Sequence, residues 1–415
     1  HDNFIFCTSF DMQIRNTESG ELVQSYPFGA FDIEFTPDST RLIMLAVGGV
    51  TGRIEIRNVS DMSLIREYII PENTDTEGLD IVESGIGFSE MVVDPIRPYV
   101  YAIRKRAGTL NGNIYFDIRK IVIYNYETME EVGVMQNSNG DNLWLQKIAI
   151  SKDGKYLAVN NGGASYLRVW DLGTRQEIRS YKLCDYIPGS GDDGQPSCTK
   201  FSEINSDIIY FSGKFPKSKN VDGIYGLVTY SITENRIVDS TFGIEPNYVS
   251  YGKFTFFDNE ERAIKGQTHY ILILNLKNKT IENKIDRDTI TNGLTFWYGN
   301  TIYSYNKNLF IGYAGQYYGI FRYNVGTGTI DNFNFDTIIY PNPTDGMIAI
   351  ENSCIDPVHS YEISDINGLI IIRNTIMTAQ SGITTIDIST LSVGTYFLRY
   401  YCGSSVTTYK VIKEN

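Results

Sequence analysis

Histidine is almost missing from this chain: three occur in 415 residues, at His1, His269 and His359. A multi-histidine copper or zinc site therefore has no ligands to draw on. His269, in the turn GQTHY, reads as a solvated turn residue rather than a lone acid–base group. Also lacking are a G-x-S-x-G elbow, an H-E-x-x-H helix and a phosphate-cradling glycine loop, so no catalytic residue is assigned and the chain is not read as an enzyme. No apolar run reaches the roughly 18–20 residues that span a bilayer, so no transmembrane segment is expected. Bases are outnumbered, 36 against 49 acids for a net charge of −13, which opposes binding to nucleic acid or an anionic membrane. The opening His1-Asp2 brings neither an initiator methionine nor a signal-peptide core, and a segment upstream is expected to have been removed.

Cysteine is sparse, with five residues. Cys184 and Cys198 flank a polar loop, Cys354 and Cys402 lie close to the C-terminus, and Cys7 sits in an apolar run. Two bridges, Cys184–Cys198 and Cys354–Cys402, would suit an oxidising compartment, and closing a loop of about 15 residues contributes on the order of 3 kcal/mol. Five buried thiols are the alternative, because spacing alone does not fix connectivity.

What the chain does have is β-forming sequence. Gly 37, Tyr 30 and Phe 21 accompany a modest 20% of charged residues. Short alternating runs such as RIEIRN (53–58) and YILILN (270–275) recur, and apolar residues at helical spacing are hard to find. The fold class is all-β. At this length, two domains or a repeat array is expected.

The array shows when strand ends are aligned. Asn16, Asn58, Asn125, Asp171, Ser231, Asn275 and Asn324 each close a strand and open a short polar turn. A small polar side chain there can bond its own following backbone and hold the turn. The intervals are 42, 67, 46, 60, 44 and 49 residues, room for four strands per unit, which is the size of a propeller blade. Upstream of the anchors lie paired strands joined by tight turns, as in IAISKDGKYLAV (148–159). This pattern resembles WD40-like and YVTN-type β-propellers, and LRVWDLGTRQEI (167–178) carries the Trp-Asp pair that names the WD group. The resemblance implies a seven-bladed propeller over residues 1–336. The first unit supplies three strands only, and an extra candidate strand at 301–306 is available to help close the ring.

With strands labelled a to d from the central channel outward, excess length falls in d–a connections at 71–88 and 184–198 and in b–c connections at 105–120 and 213–227. All four lie on one face of such a ring, and insertions gathered on one face mark a binding surface. Acids Glu72, Asp75, Glu77 and Asp80 face bases Lys105 and Arg106, with aromatics Tyr115, Phe116, Phe215 and Tyr225 interleaved and Asp192 and Asp193 nearby. This mixture suits an extracellular protein or glycan partner. The other functional reading is a propeller enzyme, a lactonase-like hydrolase or lyase, with channel-lining carboxylates. No cofactor is called for. Calcium is the one candidate: NSNGDN (137–142) and the Asp192-Asp193 pair offer oxygen ligands, yet neither has the twelve-residue pattern ending in a bidentate Glu. Seven tyrosines between 298 and 323 read as blade packing before a stacking platform.

After Asp336 the blade pattern stops. Pro341-Asn342-Pro343 with Gly346, Asp365 with Gly368, Leu391-x-x-Gly394-x-Tyr396, and Lys410 with Lys413 follow in order. Residues 337–415 resemble the C-terminal sorting domain of proteins exported by the bacterial type IX secretion system. The resemblance implies a small Ig-like β-sandwich, interaction with the secretion machinery, and a secreted or cell-surface protein of a Gram-negative bacterium, often with the domain cleaved on the way. The alternating IAIE, YEIS and IDIS fit such strands, and Asp-Ile-Asn-Gly fits a hairpin turn.

Overall fold

A computed structural model describes residues 3–7, 12–16, 22–46, 52–72, 74–75, 81–110, 114–135, 145–161, 166–182, 195–215, 224–242, 254–266, 270–286, 299–304, 309–314, 317–324, 329–333, 338–340, 344–351, 358–377, 383–402 and 405–414. Every regular element among them is a β-strand. One three-stranded antiparallel sheet (Asn3–Cys7, Met12–Asn16, Leu22–Tyr26) is followed by six four-stranded ones, each a meander of consecutive strands. These are the seven blades. Among the described residues the first has three strands. The strand at the expected extra position, Gly299–Ser304, pairs with Leu309–Ala314 as the inner strand of blade 7. It belongs to its own blade and does not complete blade 1.

The first strands of blades 2 to 7 lie beside one another in succession, which places them around the channel. Outer strands such as Leu64–Ile69 are exposed along nearly their whole length. Between blades the strands interdigitate apolar faces. Trp170, fully buried, packs with Tyr101, Ile123, Leu145 and Leu157 between blades 3 and 4, and Val169, Phe211 and Tyr230 pack between blades 4 and 5. Burying each such side chain stabilises by roughly 1.5–3 kcal/mol.

The anchor residues do what their chemistry suggests. Asn125 Oδ1 accepts the Glu127 N–H at 2.8 Å, Asp171 Oδ1 that of Thr174 at 2.9 Å, Ser231 Oγ that of Glu234 at 3.1 Å and Asn275 Oδ1 that of Asn278 at 2.7 Å. Four residues past the anchors, Met62, Met129, Arg175, Asn235 and Lys279 all take left-handed φ between 52° and 60°. Gly20 and Gly328 occupy the same place after Asn16 and Asn324 in the sequence.

The inner strands are joined by carboxylates. Asp32 of blade 2 accepts the Met91 N–H of blade 3 at 3.1 Å, and Glu90 of blade 3 accepts the Ile148 N–H of blade 4 at 2.8 Å. Each staple satisfies a donor on a strand that is the edge of its own sheet.

The C-terminal unit has two sheets. One holds Ile338–Tyr340, Met347–Glu351 and Ile383–Asp387; the other holds Ile370–Met377, Val358–Ser364, Gly394–Cys402 and Ser405–Lys413 in that order. Ile348 and Ile386 of the first meet Ile363, Leu398 and Val411 of the second in a single core.

Candidate functional site

Blade 3 departs from the others in strand length. Its first three strands run Ile81–Val93, Tyr99–Leu110 and Ile114–Asn125, with 13, 12 and 12 residues. Most of the b–c connection read as a loop over 105–120 is paired strand, with Lys105 opposite Arg119 and Leu110 opposite Ile114. Lys105, Arg106, Tyr115 and Phe116 therefore stand on strands, because the alternation in IYFDIR outweighs the local charge. In blade 5, Phe215 likewise ends the strand Ile208–Phe215 and Tyr225 is the second residue of the strand Ile224–Ser231, so both stand on strands. The last eight residues of 71–88 are strand too, since the inner strand begins at Ile81. Strand order puts this extension on the face of the d–a and b–c connections.

The extension is fastened to the segment before it. Arg104 Nε and Nη2 reach Asp75 at 2.6 and 3.1 Å, and Arg104 Nη1 reaches Glu131 at 2.7 Å and the Tyr124 hydroxyl at 3.0 Å. Lys120 Nζ adds a bond to Asp75 at 3.0 Å. The Arg104 and Asp75 side chains are only 3% and 8% exposed, so neither charge is compensated by water. Burial pushes the Asp75 carboxyl up, but hydrogen bonds and charge from Arg104 and Lys120 outweigh it and hold it below the usual carboxylate range. Burial raises the Tyr124 phenol. Arg106 Nη1 donates to the carbonyls of Glu72 and Thr74 at 2.5 and 2.7 Å. Acids and bases that look in the sequence like two sides of a binding surface thus meet each other: Asp75 with Arg104 and Lys120, and the backbone at Glu72 with Arg106. A second buttress comes from blade 2, where Gly52 bonds the Ile86 carbonyl at 2.8 Å; a Cβ on Gly52 would sit 2.6 Å from the Gly87 Cα. Glu77, Asp80, Asp192 and Asp193 lie outside the described residues.

A different feature sits toward the tight-turn end of the channel. Inner strands of blades 2 to 5 and their first turn residues enclose a cavity of about 430 Å³. Glu34, Glu90 and Glu203 line it together with Lys147, Lys152 and Lys200, over an apolar floor that includes Val92, Ile148 and Phe201. Glu90 is committed to its staple and to Lys147 Nζ at 3.2 Å, and Lys200 meets Glu203 at 2.9 Å. Sequence reasoning missed this set. A positional signal exists: Asp32, Glu90 and Lys147 each stand four residues before the first residue of an a–b turn, Thr36, Asp94 and Ser151.

Among the described residues no three His, Cys, Asp or Glu side chains are grouped to hold a metal ion. The candidate calcium loop at 137–142 and His269 lie outside those residues, and no side chain is described for the tyrosines of blade 7. Of the cysteines, Cys198 is buried on the inner strand Gln195–Phe201. Cys184 and Cys354 lie outside the described residues, as does the side chain of Cys402. No helix among the described residues is long and apolar enough to cross a membrane.

In the C-terminal unit the motif residues make turns. Gly346 has φ 151°, and a Cβ there would lie 2.9 Å from Ser389. Asp365 Oδ1 accepts the N–H groups of Asn367 and Leu369, both at 2.9 Å, while Gly368 takes φ 84°. Those backbone bonds, led by Leu369, hold the Asp365 carboxyl below its ordinary value. Leu391 donates to Ile388, and Tyr396, two residues past Gly394, bends back to donate its hydroxyl to the Ser392 carbonyl at 2.7 Å. Lys413 Nζ bonds the Glu414 carbonyl at 2.6 Å, and Lys410 is exposed. Pro341, Asn342 and Pro343 are outside the described residues.

Residues 338–414 match the family described as the secretion system C-terminal sorting domain. The tail is a type IX sorting domain, its partner is the type IX machinery, and the protein is secreted or displayed on the cell surface. No curated protein matches the chain. Among solved structures, hydrazine synthase of Kuenenia stuttgartiensis is similar in fold, with a TM-score of 0.51 at 12% identity over 79% of this chain and 90% of that one. At that identity the likeness concerns the fold alone.

Proposed function

We propose that the chain divides after Asp336 into a working propeller and its export address, and that the exported propeller is a binding or scaffold protein. It engages an extracellular protein or glycan through the face that carries the blade 3 extension. The observation supporting this is the three-stranded extension itself: a stiff platform beyond the ring, fastened by the buried Arg104–Asp75 pair. A pre-organised surface loses less entropy on binding than free loops do. Tyr115 and Phe116, at the hairpin end, are the residue types that anchor such contacts, and Phe215 and Tyr225 extend the same face from blade 5. In this reading Cys184–Cys198 and Cys354–Cys402 close as bridges in the oxidising periplasm.

The test trims the hairpin. Replacing residues 107–117 by an Asn-Gly turn joins Arg106 to Ile118, which are register partners, and leaves the Arg104 network in place. Glycan arrays and cross-linking to isolated cell-envelope proteins, run on both forms, should show a binder that the trimmed form holds at least about tenfold more weakly. Equal binding by both forms sinks the proposal.

A further inference from the structure

Two junctions between inner strands carry carboxylate staples, and the cavity reaches the junction that follows them. At the junctions of blades 2–3 and 3–4, the residue four places before the a–b turn is an acid, Asp32 or Glu90, that accepts the N–H of the next inner strand. The corresponding residue of blade 4 is Lys147, four places before Ser151. Ammonium has three donors and no lone pair to offer, so Lys147 cannot serve as the acceptor for blade 5. The position equivalent to Met91 and Ile148 on blade 5 is Thr199. Where two acids precede, the ring presents a base instead, with Lys200 and Lys152 beside it on the cavity wall.

We propose that this cavity binds a small organic carboxylate with an apolar body, whose carboxylate is held by Lys147 and Lys152 beside the Thr199 hydroxyl. Several features fit that ligand. Lys147 keeps donors beyond the one given to Glu90, whereas Lys200 is shared between Glu203 and the Phe256 ring. Lys152, at the rim, enters no ion pair among the described residues, so it contributes a positive charge to the cavity. Thr199 accepts from Asn160 Nδ2 at 2.6 Å, which turns its own hydroxyl hydrogen to donate elsewhere. Val92 and Ile148 provide the floor for the apolar body, and about 430 Å³ accommodates a single aromatic acid. The site lies toward the tight-turn face and is independent of the partner surface on blade 3.

Phenylacetate is a suitable probe, with phenylacetamide as its neutral counterpart, titrated into the full chain by calorimetry or saturation-transfer NMR. Phenylacetate should bind saturably at one site and phenylacetamide at least about tenfold more weakly. Lys147→Gln should lower phenylacetate affinity by a similar factor. If that variant fails to fold, Lys152→Ala at the exposed rim should still weaken binding about threefold while leaving the melting temperature unchanged. No saturable phenylacetate binding, equal binding of the amide, or undiminished affinity in the folded variants would overturn the proposal.

Discussion

In the ring, the place four residues past five of the anchors takes left-handed backbone with side chains of every kind: Met62, Met129, Arg175, Asn235 and Lys279. In the tail, positive φ falls on Gly346 and Gly368. Left-handed backbone costs a non-glycine residue roughly 1 kcal/mol. A turn clamped by a strand ladder on both sides and repeated around the ring tolerates that cost locally. The tail has one copy of each turn and uses the residue that is not strained. Blade 3 is the ring's exception, because its Arg104 network also occurs once. The contrast that matters is therefore between repeated and unrepeated sites, wherever they lie.

Breaking an unrepeated site should have the largest effect. Arg104→Met leaves buried Asp75 with Lys120 alone and should destabilise by about 3–5 kcal/mol, read as a lower melting temperature and early hydrogen exchange over 81–125. The pH profile should change with it. Asp75 titrates below its unfolded value, so its contribution is complete above about pH 4 and is lost as pH falls through the lower folded value. The variant should lose that acid-side slope. Gly346→Ala comes next, at about 2–4 kcal/mol, because the new Cβ meets Ser389 and the backbone is strained. Exchange should rise in the tail and stay unchanged in the ring, and rise in both would contradict the separation. At a repeated site, Asp171→Ala removes two bonds to Thr174 and should cost about 1 kcal/mol, confined to blade 4. Smallest, and opposite in sign, Arg175→Gly should be neutral or stabilising by up to about 0.5–1 kcal/mol by chemical denaturation; a clear loss would show that the turn is not strained.

Much of this was legible because the signals were local. An Asn or Asp at a strand end followed by a polar turn needs no long-range information, and the same holds for Asp365 and Gly368. The three strands of blade 1 could also be read, as a unit with fewer alternating runs. What escaped was pairing at a distance. Arg104, in an alternating strand, gives no sign that Asp75 is its partner, and Lys105 and Arg106 looked like loop residues because their strand carries charge toward a partner segment. Asp32 and Glu90 carry no local sign in the sequence of their role, since the donors they hold belong to the next blade. Only their common distance from the a–b turn betrayed them.

Thr344 opens the tail's first turn, yet its backbone is held by the last strand: its N–H bonds Ile412 at 2.9 Å and its carbonyl takes the Glu414 N–H at 2.8 Å. The beginning of the address is thus fastened only when its end has been made. A protease that clips before Ile412 leaves Thr344 unclasped, so the opening turn and the last strand of the sorting domain stand or fall together.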